Sequence, residues 1–490
     1  MKVLNDMSKC YGCGKCSAIC PVSAIHMEQN EEGFLYPLID TTKCINCGLC
    51  ENECIVNIDV QQKIILDKVY ACYADEKSVS GSTSGGIFYQ IARQIINDGG
   101  AVYGAKLNDD FLVVHERTAD LEELESIRGS KYVQSDISEI FQSVVKDVKE
   151  GRRVLFSGTG CQVGAVKSLI GDDKNLVCVE VACMGCPSPG VWKRYLNEYI
   201  AAGKKVKGIS CRDKSVSWEE PLFSVYGDNW EKKERYEENA YMTGFGQAMF
   251  LRPTCHDCHF KGNRSMADIK IGDFWGISKL APDFYNKNGT SVVIVQTENG
   301  NNIFESIKEN LSIKTFRYKE AVLNNPYFEL SIAQSKKREL FFQMWKNGDK
   351  LETIVEECKN HIPTLLEITA ERYVILEKYC DLLVEGKETQ FFEANEYKNI
   401  AFYGINDFAR LIANGLKKSG VKINYFIDKS YYQWDEYVDG IKVISPVQVD
   451  SYDIDCIVVV PLYYNNNILE TLLTQEIDLN KVVSIRSIFR

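Results

Sequence analysis

Two cysteine runs with the same spacing lie near the start of the chain. They extend from Cys10 to Cys20 and from Cys44 to Cys54, and each reads CxxCxxCxxxC. In such a run three closely spaced thiolates bind one cubane iron-sulfur cluster, whereas the fourth cysteine is offered to a second cluster. The spacing therefore predicts two 4Fe-4S clusters that exchange one ligand. The predicted ligand sets are Cys10, Cys13, Cys16 and Cys54 for the first cluster, and Cys20, Cys44, Cys47 and Cys50 for the second.

Residues 1–65 consequently resemble a bacterial two-cluster ferredoxin. One position departs from the repeat, because Ile55 stands where the first run has Pro21. A zinc site or a disulfide cage is the alternative, but both use four or paired cysteines rather than two interlocking sets of three plus one.

Composition limits the remaining possibilities. A chain of 490 residues with 45% apolar residues is long enough for several domains. Nineteen cysteines without an apolar leader-like start indicate a reducing compartment, and we expect the cytoplasm. No apolar run approaches the roughly 20 residues of a membrane span. The net charge of −11 and the lack of a basic stripe argue against nucleic acid, which leaves a small-molecule substrate and redox proteins such as ferredoxin as partners.

The chain after residue 66 has an α/β rhythm. The pattern predicts strands at 68–73, 101–106 and 154–157, and a helix at 87–97 that Gly99 and Gly100 end. Apolar positions at helical spacing over 335–387 predict a helical arm that leads to the last domain.

The final hundred residues have a Rossmann-like order. A strand at 400–403, a turn, a helix to Lys418 and a strand at 422–427 lead to Asp428, where a ribose-binding carboxylate would stand. Asn406 occupies the place of the glycine that admits a pyrophosphate. Both a nucleotide site and a purely structural or docking module remain open.

Two cysteine pairs stand in the middle of the chain, Cys183 with Cys186 and Cys255 with Cys258. Alone they suggest a tetrathiolate site. Zinc ribbons, however, separate such pairs by about 15 to 20 residues, and here Cys186 and Cys255 are much further apart. Cys161 follows a glycine turn at a predicted helix N-terminus, which favours a thiolate. The spacing alone does not decide which of these thiols bind a metal.

Residues 66–345 resemble the beta subunits of coenzyme F420 (deazaflavin) hydrogenases and dehydrogenases. The matching segments are STSGGI (82–87), RGSKY (128–132), SGTGCQ (157–162), Cys183 with PSP (187–189), RDK (212–214), RPTCHDC (252–258), and AD (267–268) with GDFWG (272–276). The resemblance implies FAD and a third 4Fe-4S cluster. Its implied ligands are Cys161, Cys183, Cys255 and Cys258, so that Cys186 and Cys211 fall outside the set.

Two glycine turns, 82–86 and 158–162, favour a flavin site on physical grounds. Turns that open helices present N–H groups to a pyrophosphate, and a nearby lysine can neutralise it. Each turn alone is more often structural. The candidate FAD contacts are Ser82, Ser84, Gly85, Gly86, Ser130, Lys131, Gly158, Thr159 and Gln162.

These observations predict a multidomain protein of mixed α/β and α+β class. The expected parts are a two-cluster ferredoxin-like domain (1–65), an α/β flavin and iron-sulfur domain (66–345), a helical arm (346–392) and a small Rossmann-like domain (393–490). We expect an iron-sulfur flavoprotein oxidoreductase that moves electrons between ferredoxin-type clusters and an FAD that reacts with an organic substrate. The alternative is a non-catalytic subunit that relays electrons to a partner enzyme.

Overall fold

The computed structural model describes residues 3–58, 60, 68–359, 365–461 and 465–489. Most of the apolar stretch 58–66 and the middle of the predicted helical arm, 360–364, lie outside these residues. The chain divides into two compact units. The first comprises Met1–Ile277, Asp283–Ala321 and Tyr327–Asn360, and the second comprises Ser278–Pro282, Val322–Pro326 and His361–Arg490.

The ferredoxin-like part of the first unit is built twice. Its elements are α1 (Lys15–Ala18), β1 (Ile25–Gln29), β2 (Leu35–Ile39) and α2 (Leu49–Asn52). Gly14 and Gly48 precede the two short helices with the same φ of 74°, a left-handed conformation that glycine adopts without strain. The two cysteine runs therefore share one local backbone design. Strands β1 and β2 pair as an antiparallel hairpin between them.

The rest of the first unit is α/β. Its strands are β3 (Val69–Ala74), β4 (Ala101–Leu107), β5 (Val113–Thr118), β6 (Val154–Gly158), β7 (Leu176–Val181), β8 (Gly208–Asp213), β9 (Leu222–Tyr226), β10 (Glu231–Glu234), β11 (Ile269–Asp273), β12 (Ser291–Val295) and β13 (Leu311–Thr315). Its helices are α3 (Glu76–Ser80), α4 (Ile87–Asn97), α5 (Leu124–Ile127), α6 (Phe141–Lys149), α7 (Gly160–Ile170), α8 (Pro189–Ala201), α9 (Ala240–Gly246), α11 (Glu298–Ile307), α12 (Tyr318–Val322), α13 (Arg338–Asn347) and α14 (Leu351–Cys358), and α10 (Ile277–Leu280) belongs mostly to the second unit.

An eight-stranded sheet organises this part, in the order β13-β3-β12-β11-β7-β6-β4-β5. Strands β4, β6, β7 and β11 are parallel neighbours, and they are flanked by antiparallel strands. Every residue of β6 and β12 is buried, because helices and loops cover both faces of the sheet. Parallel strands end at one edge, so the turns after β6 and β7 lie side by side.

Two regions with weak patterns become clear in the structure. The segment after Cys211 forms β9 and β10, which join β8 in the three-stranded sheet β10-β9-β8. The arm expected over 335–387 is not one continuous helix. Gly348 has a φ of 89° and ends α13, and α14 begins three residues later. The helical periodicity continued across a left-handed glycine that breaks the helix.

The second unit has a Rossmann-like sheet. Its elements are α15 (Leu365–Glu385), α16 (Gln390–Ala394), β14 (Ile400–Tyr403), α17 (Asp407–Lys418), β15 (Ile423–Ile427), β16 (Tyr437–Val438), β17 (Ile441–Ile444), β18 (Cys456–Val459), α18 (Asn465–Thr474), β19 (Val482–Ser484) and α19 (Ile485–Ile488). The strand order is β16-β17-β15-β14-β18-β19, and all pairs except β16 with β17 are parallel. Crossovers run both ways from β14, which is the doubly wound arrangement. Among the described residues, no helix is both long and apolar enough to cross a membrane.

Candidate metal centres and flavin site

The eight ferredoxin cysteines line two separate cavities. The first cluster cavity has Cys10, Cys13, Cys16 and Cys54 in its wall, and the second cluster cavity has Cys20, Cys44, Cys47 and Cys50. This grouping agrees with the predicted exchange of the fourth cysteine. Ile55 and Pro21, the residues that follow those fourth cysteines, occupy corresponding walls. The departure at Ile55 thus preserves an apolar wall.

Two of the four thiols that line the first cluster cavity, Cys10 and Cys16, are buried. Burial raises the pKa of Cys10 and of Cys13, and raises that of Cys16 to about 12. Thiols in such surroundings are inert unless a metal deprotonates them. The Gly12 N–H also donates to Cys10 Sγ at 3.3 Å, a contact of the kind that stabilises cluster sulfur. The donors and their apolar enclosure therefore fit a cubane.

The second cluster cavity lies closer to solvent. Cys47 is exposed, and Ile45 is 61% exposed beside it. Val22 and Leu49, which also line this cavity, are more than a third exposed. Apolar side chains exposed beside a redox site are typical of a surface that meets another protein.

A third group of thiols forms where three separate segments meet. Cys161 follows β6 and Cys183 follows β7, so the two parallel strands bring them to one edge of the sheet. Pro187 bridges to Leu251, and the Arg252 N–H donates to the Cys186 carbonyl at 3.0 Å. This pairing places the segment of Cys255 against that of Cys186. We call Cys161, Cys183, Cys186, Cys255 and Cys258 the middle cysteine site.

Cys186 is the cysteine whose surroundings the sequence did not predict. Its N–H donates to Cys255 Sγ at 3.3 Å. Close approach of the thiols of Cys161, Cys183 and Cys255, which share the single Cys186 S–H proton, raises the pKa of Cys186 well above its usual value. The same approach lowers the pKa of each of the other three thiols. Cys258 stands near Cys161 and Cys255, and burial raises its pKa. Five thiols therefore surround this site, and the resemblance had left Cys186 outside it.

These thiols do not converge on one point. In the described part of the chain, no group of three or more His, Cys, Asp or Glu residues is arranged to hold a single metal ion. A cubane makes a different demand, since each thiolate binds its own iron at a corner of the cluster. Thiols that do not converge on one point suit a cubane better than a single zinc ion. The ligand set itself stays a prediction.

Tyr11 connects the first cluster cavity with the middle cysteine site. It follows Cys10 in sequence, and its hydroxyl accepts the His259 N–H at 2.9 Å, next to Cys258. Its ring packs edge-on against Phe260, with 5.3 Å between the ring centroids. Lys15 adds a second link, because its buried ammonium donates to Ser168 on α7. The sequence signalled neither residue as a contact between the two sites.

The first glycine turn, 82–86, opens α4. Gly86 precedes the helix with a φ of 84°, and among the described residues no side chain caps this N-terminus. The Gly85 N–H is already bonded to Ser291, and Ser84 bonds to the Thr290 carbonyl. The Ser82 hydroxyl donates to the Ser78 carbonyl and accepts from Arg128. The open donors of this turn are therefore those of the first turn of α4.

A cavity of about 90 Å³ lies beside this turn. Thr83, Ser130 and Lys131 line it together with Cys211 and Trp192, and Thr83 and Ser130 share a hydrogen bond of 3.2 Å. The volume is below the roughly 300 Å³ of the smallest usual ligand pockets. We call it the Lys131 cavity. It holds no whole FAD as it stands.

Lys131 serves a structural contact as well. Its ammonium donates to the carbonyls of Ile127 at 3.0 Å and Arg128 at 2.7 Å, just past the end of α5. Burial lowers the pKa of Lys131 to about 7. Its predicted role as a phosphate partner would have to use this same ammonium.

The second glycine turn, 158–162, belongs to the middle cysteine site. Thr159 and Gln162 form a capping box at the start of α7, and the Gln162 amide also donates to the Ser135 carbonyl. The Thr159 hydroxyl lies 3.2 Å from Cys161 Sγ. These groups orient Cys161 and already cap the N-terminus of α7. The helix end therefore gives no support to the expectation that Gly158, Thr159 and Gln162 cradle a flavin phosphate.

Several of the segments that carry the family resemblance meet near the Lys131 cavity. Arg212 forms an ion pair with Asp273, and the Trp218 indole donates to Asp273 at 3.0 Å. Trp218 and Trp275 stack with 5.1 Å between ring centroids. Lys214 donates to the Val79 carbonyl at 2.8 Å, close to the first glycine turn. Segments far apart in sequence thus build one region.

The second unit uses its candidate nucleotide residues for its own backbone. Asn406 caps α17 through the Ala409 N–H at 2.9 Å. The Asp428 carboxylate accepts the Ile405 N–H at 3.0 Å and the Ser430 N–H at 2.7 Å. Both oxygens of Asp428 therefore have partners, which favours a structural role for this domain over a nucleotide site.

Family comparisons agree with this organisation. Residues 9–58 match the 4Fe-4S dicluster domain, and residues 151–321 match the family that describes the C terminus of the coenzyme F420 hydrogenase/dehydrogenase beta subunit. Residues 396–483 match the family described as C2185-like, N-terminal. The predicted ferredoxin domain and the suspected F420 beta-subunit resemblance are confirmed.

The other comparisons reach less far. A chain in a solved structure of the F420-reducing [NiFe] hydrogenase complex from Methanosarcina barkeri is 17% identical, with a TM-score of 0.38, over 61% of this chain and 94% of that one. This likeness is too weak to assign further detail. No curated protein matches the sequence significantly.

The chain is an iron-sulfur protein of the oxidoreductase and electron-transfer class, similar to the beta subunit of F420 hydrogenase.

Proposed function

We propose that this protein is an iron-sulfur flavoprotein oxidoreductase with three 4Fe-4S clusters and one FAD. A ferredoxin or another redox protein exchanges electrons with the second cluster cavity, and an organic substrate reacts at the flavin. FAD when bound can exchange electrons singly with clusters and in pairs with an organic molecule.

The contact through Tyr11 carries the proposal. Tyr11 adjoins Cys10 and Cys13 on one side and the segment of Cys258 on the other. The first cluster cavity is therefore next to the middle cysteine site, whereas the second cluster cavity has exposed Cys47 and Ile45. This order favours a linear route from a surface partner, through two ferredoxin clusters, to the third.

The route continues toward the Lys131 cavity. Gln162 on α7 binds the Ser135 carbonyl, and Val133, two residues earlier, lines that cavity. The open N-terminus of α4 gives this region N–H donors for a phosphate group, and the Lys131 ammonium can add to them by leaving its carbonyl acceptors. The small cavity requires that the flavin lie along its open side or that the cavity widen on binding.

The composition of the purified protein is the first test. Anaerobically prepared protein should contain about twelve irons and one noncovalent FAD per chain. Stoichiometric zinc with about eight irons would remove the middle cluster from the proposal.

A pair of glycine variants tests the flavin site. Gly86 and Gly99 flank α4 at its two ends, and both have left-handed φ values, 84° and 79°. Gly86→Ala and Gly99→Ala therefore carry a similar backbone penalty of about 1–2 kcal/mol. We expect Gly86→Ala alone to lose FAD while both variants keep full iron. Equal FAD content in the two variants would place the flavin elsewhere.

The rival function is a non-catalytic electron-transfer subunit. The small volume of the Lys131 cavity and the apolar side chains exposed at the second cluster cavity favour it. Both functions require clusters. An anaerobic screen of candidate acceptors against the dithionite-reduced chain separates them, since only the first predicts substrate-dependent flavin oxidation.

A further inference from the structure

Arg252 contacts both the first cluster cavity and the middle cysteine site. Its guanidinium donates to the Cys10 carbonyl at 3.0 Å and to the Leu35 carbonyl at 2.7 Å. Its own backbone donates to the Cys186 carbonyl and accepts the Cys255 N–H at 2.9 Å. One residue is thus bonded to cysteines of both sites, and its bond to Cys10 spans 242 positions along the chain.

The charge of Arg252 is buried without an acidic partner. The residue is 1% exposed, and its third donor goes to the Gln134 amide oxygen at 2.8 Å. Among the described residues, all of its hydrogen-bond acceptors are neutral and no carboxylate forms an ion pair with it. A buried cation in this state is costly unless an anion lies nearby.

The surroundings are shaped to hold the cation in this place. Its guanidinium lies over the rings of Phe34 and Tyr36, 4.9 and 4.6 Å from their centroids. Gly12, with a φ of 63°, leaves room for it, since a Cβ there would stand 2.3 Å from Arg252 Nη2. Gly12 lies within the first cysteine run, so the cluster loop itself is fitted around the arginine.

We propose that Arg252 is a positioning residue that holds the first cluster cavity against the middle cysteine site and gives both clusters one shared counter-charge. A cubane with four thiolates carries a net charge of about −2 when oxidised and becomes more negative on reduction. A fixed cation beside two such clusters stabilises their reduced forms. Arg252 therefore raises the reduction potentials of the cluster in the first cluster cavity and of the middle cluster. It does not change the potential of the cluster in the second cluster cavity.

The inference rests on the proposed three-cluster composition, and the iron content tests that separately. About eight irons in the unsubstituted protein would refute the middle cluster itself. With about twelve irons present, the potentials test Arg252.

Three variants of the full-length holoprotein test the proposal. Arg252→Gln removes the charge, Arg252→Lys keeps it, and Gln134→Glu supplies a carboxylate beside the guanidinium at almost constant volume. Arg338→Gln is the matched control, because Arg338 is also buried but is already paired with Glu32, at 2.6 and 2.8 Å. Redox titration followed by electron paramagnetic resonance resolves the three clusters.

We expect two of the three potentials to fall in Arg252→Gln and in Gln134→Glu, with at least a tenfold change in the reduction equilibrium, which is about 59 mV for one electron. Arg252→Lys should restore most of the shift, and Arg338→Gln should cause none. If Arg252→Gln loses its clusters, Gln134→Glu still decides. Unchanged potentials in Gln134→Glu, an equal shift of all three clusters, or an equal shift in Arg338→Gln would overturn the proposal.

Discussion

Replacing Cys186 and Cys258 one at a time by alanine separates the two ligand sets that the middle cysteine site allows. Cys161, Cys183 and Cys255 belong to both sets. We expect Cys258→Ala to lose the middle cluster and Cys186→Ala to keep it. The reason is that the neighbouring thiols raise the pKa of Cys186 well above its usual value, so that it keeps its proton and can donate it to one of the three shared thiols.

The structure gives a magnitude for each outcome. Loss of a ligand opens an iron site and removes the cubane, which is about four of about twelve irons per chain. Cys186→Ala removes one thiol donor but keeps the Cys186 N–H bond to Cys255 Sγ. One hydrogen bond of about 1 kcal/mol corresponds to about 40 mV in a one-electron potential. Cys186→Ala should therefore lower the potential of the middle cluster by about 40 mV.

The assay is iron and acid-labile sulfide per chain in anaerobically purified variants, followed by redox titration. Cys72→Ala is the control, because Cys72 is a fully buried thiol on β3, away from the three cysteine groups. Cys161→Ser should behave as Cys258→Ala does. Loss of about four irons in Cys186→Ala with full iron in Cys258→Ala would refute the assignment.

Two further predictions concern the other sites. NADH and NADPH should not reduce the protein rapidly. Asp428→Ala should increase hydrogen exchange of residues 400–430 in the full chain, because the Asp428 carboxylate accepts two backbone N–H groups. Rapid reduction by NADH that Asp428→Ala abolishes would contradict a structural role for Asp428. Burial lowers the pKa of Lys131 to about 7, so the unfolded chain binds one more proton than the native chain between about pH 7 and 10. The free energy of unfolding in urea should consequently rise with pH across that window. Lys131→Met should flatten this rise, whereas Lys146→Met, on the exposed face of α6, should not. An unchanged pH dependence in Lys131→Met would show that Lys131 does not titrate in that window.

Local sequence signals determined the elements that close over short distances. The predicted exchange of the fourth cysteine rests on reach along the chain; the eight cysteines line two cavities in the same two groups, and the ligand sets stay a prediction. Helix α4 spans Ile87–Asn97 as the periodicity and the flanking glycines predict, because its start and end signals are adjacent to it. The arm predicted over 335–387 contains the helices α13, α14 and α15, and its apolar periodicity did not indicate the helix end at Gly348.

Only the tertiary structure decided what distant segments do to one another. The order of β6 and β7 brought Cys161 beside Cys183, and the pairing of Pro187 with Leu251 brought Cys186 into the same site. The glycine turn before Cys161 is capped by Thr159 and Gln162, and the Thr159 hydroxyl lies 3.2 Å from Cys161 Sγ. Arg252 and Cys10 meet across 242 residues. Such contacts depend on how whole elements pack, and no spacing within one segment encodes them.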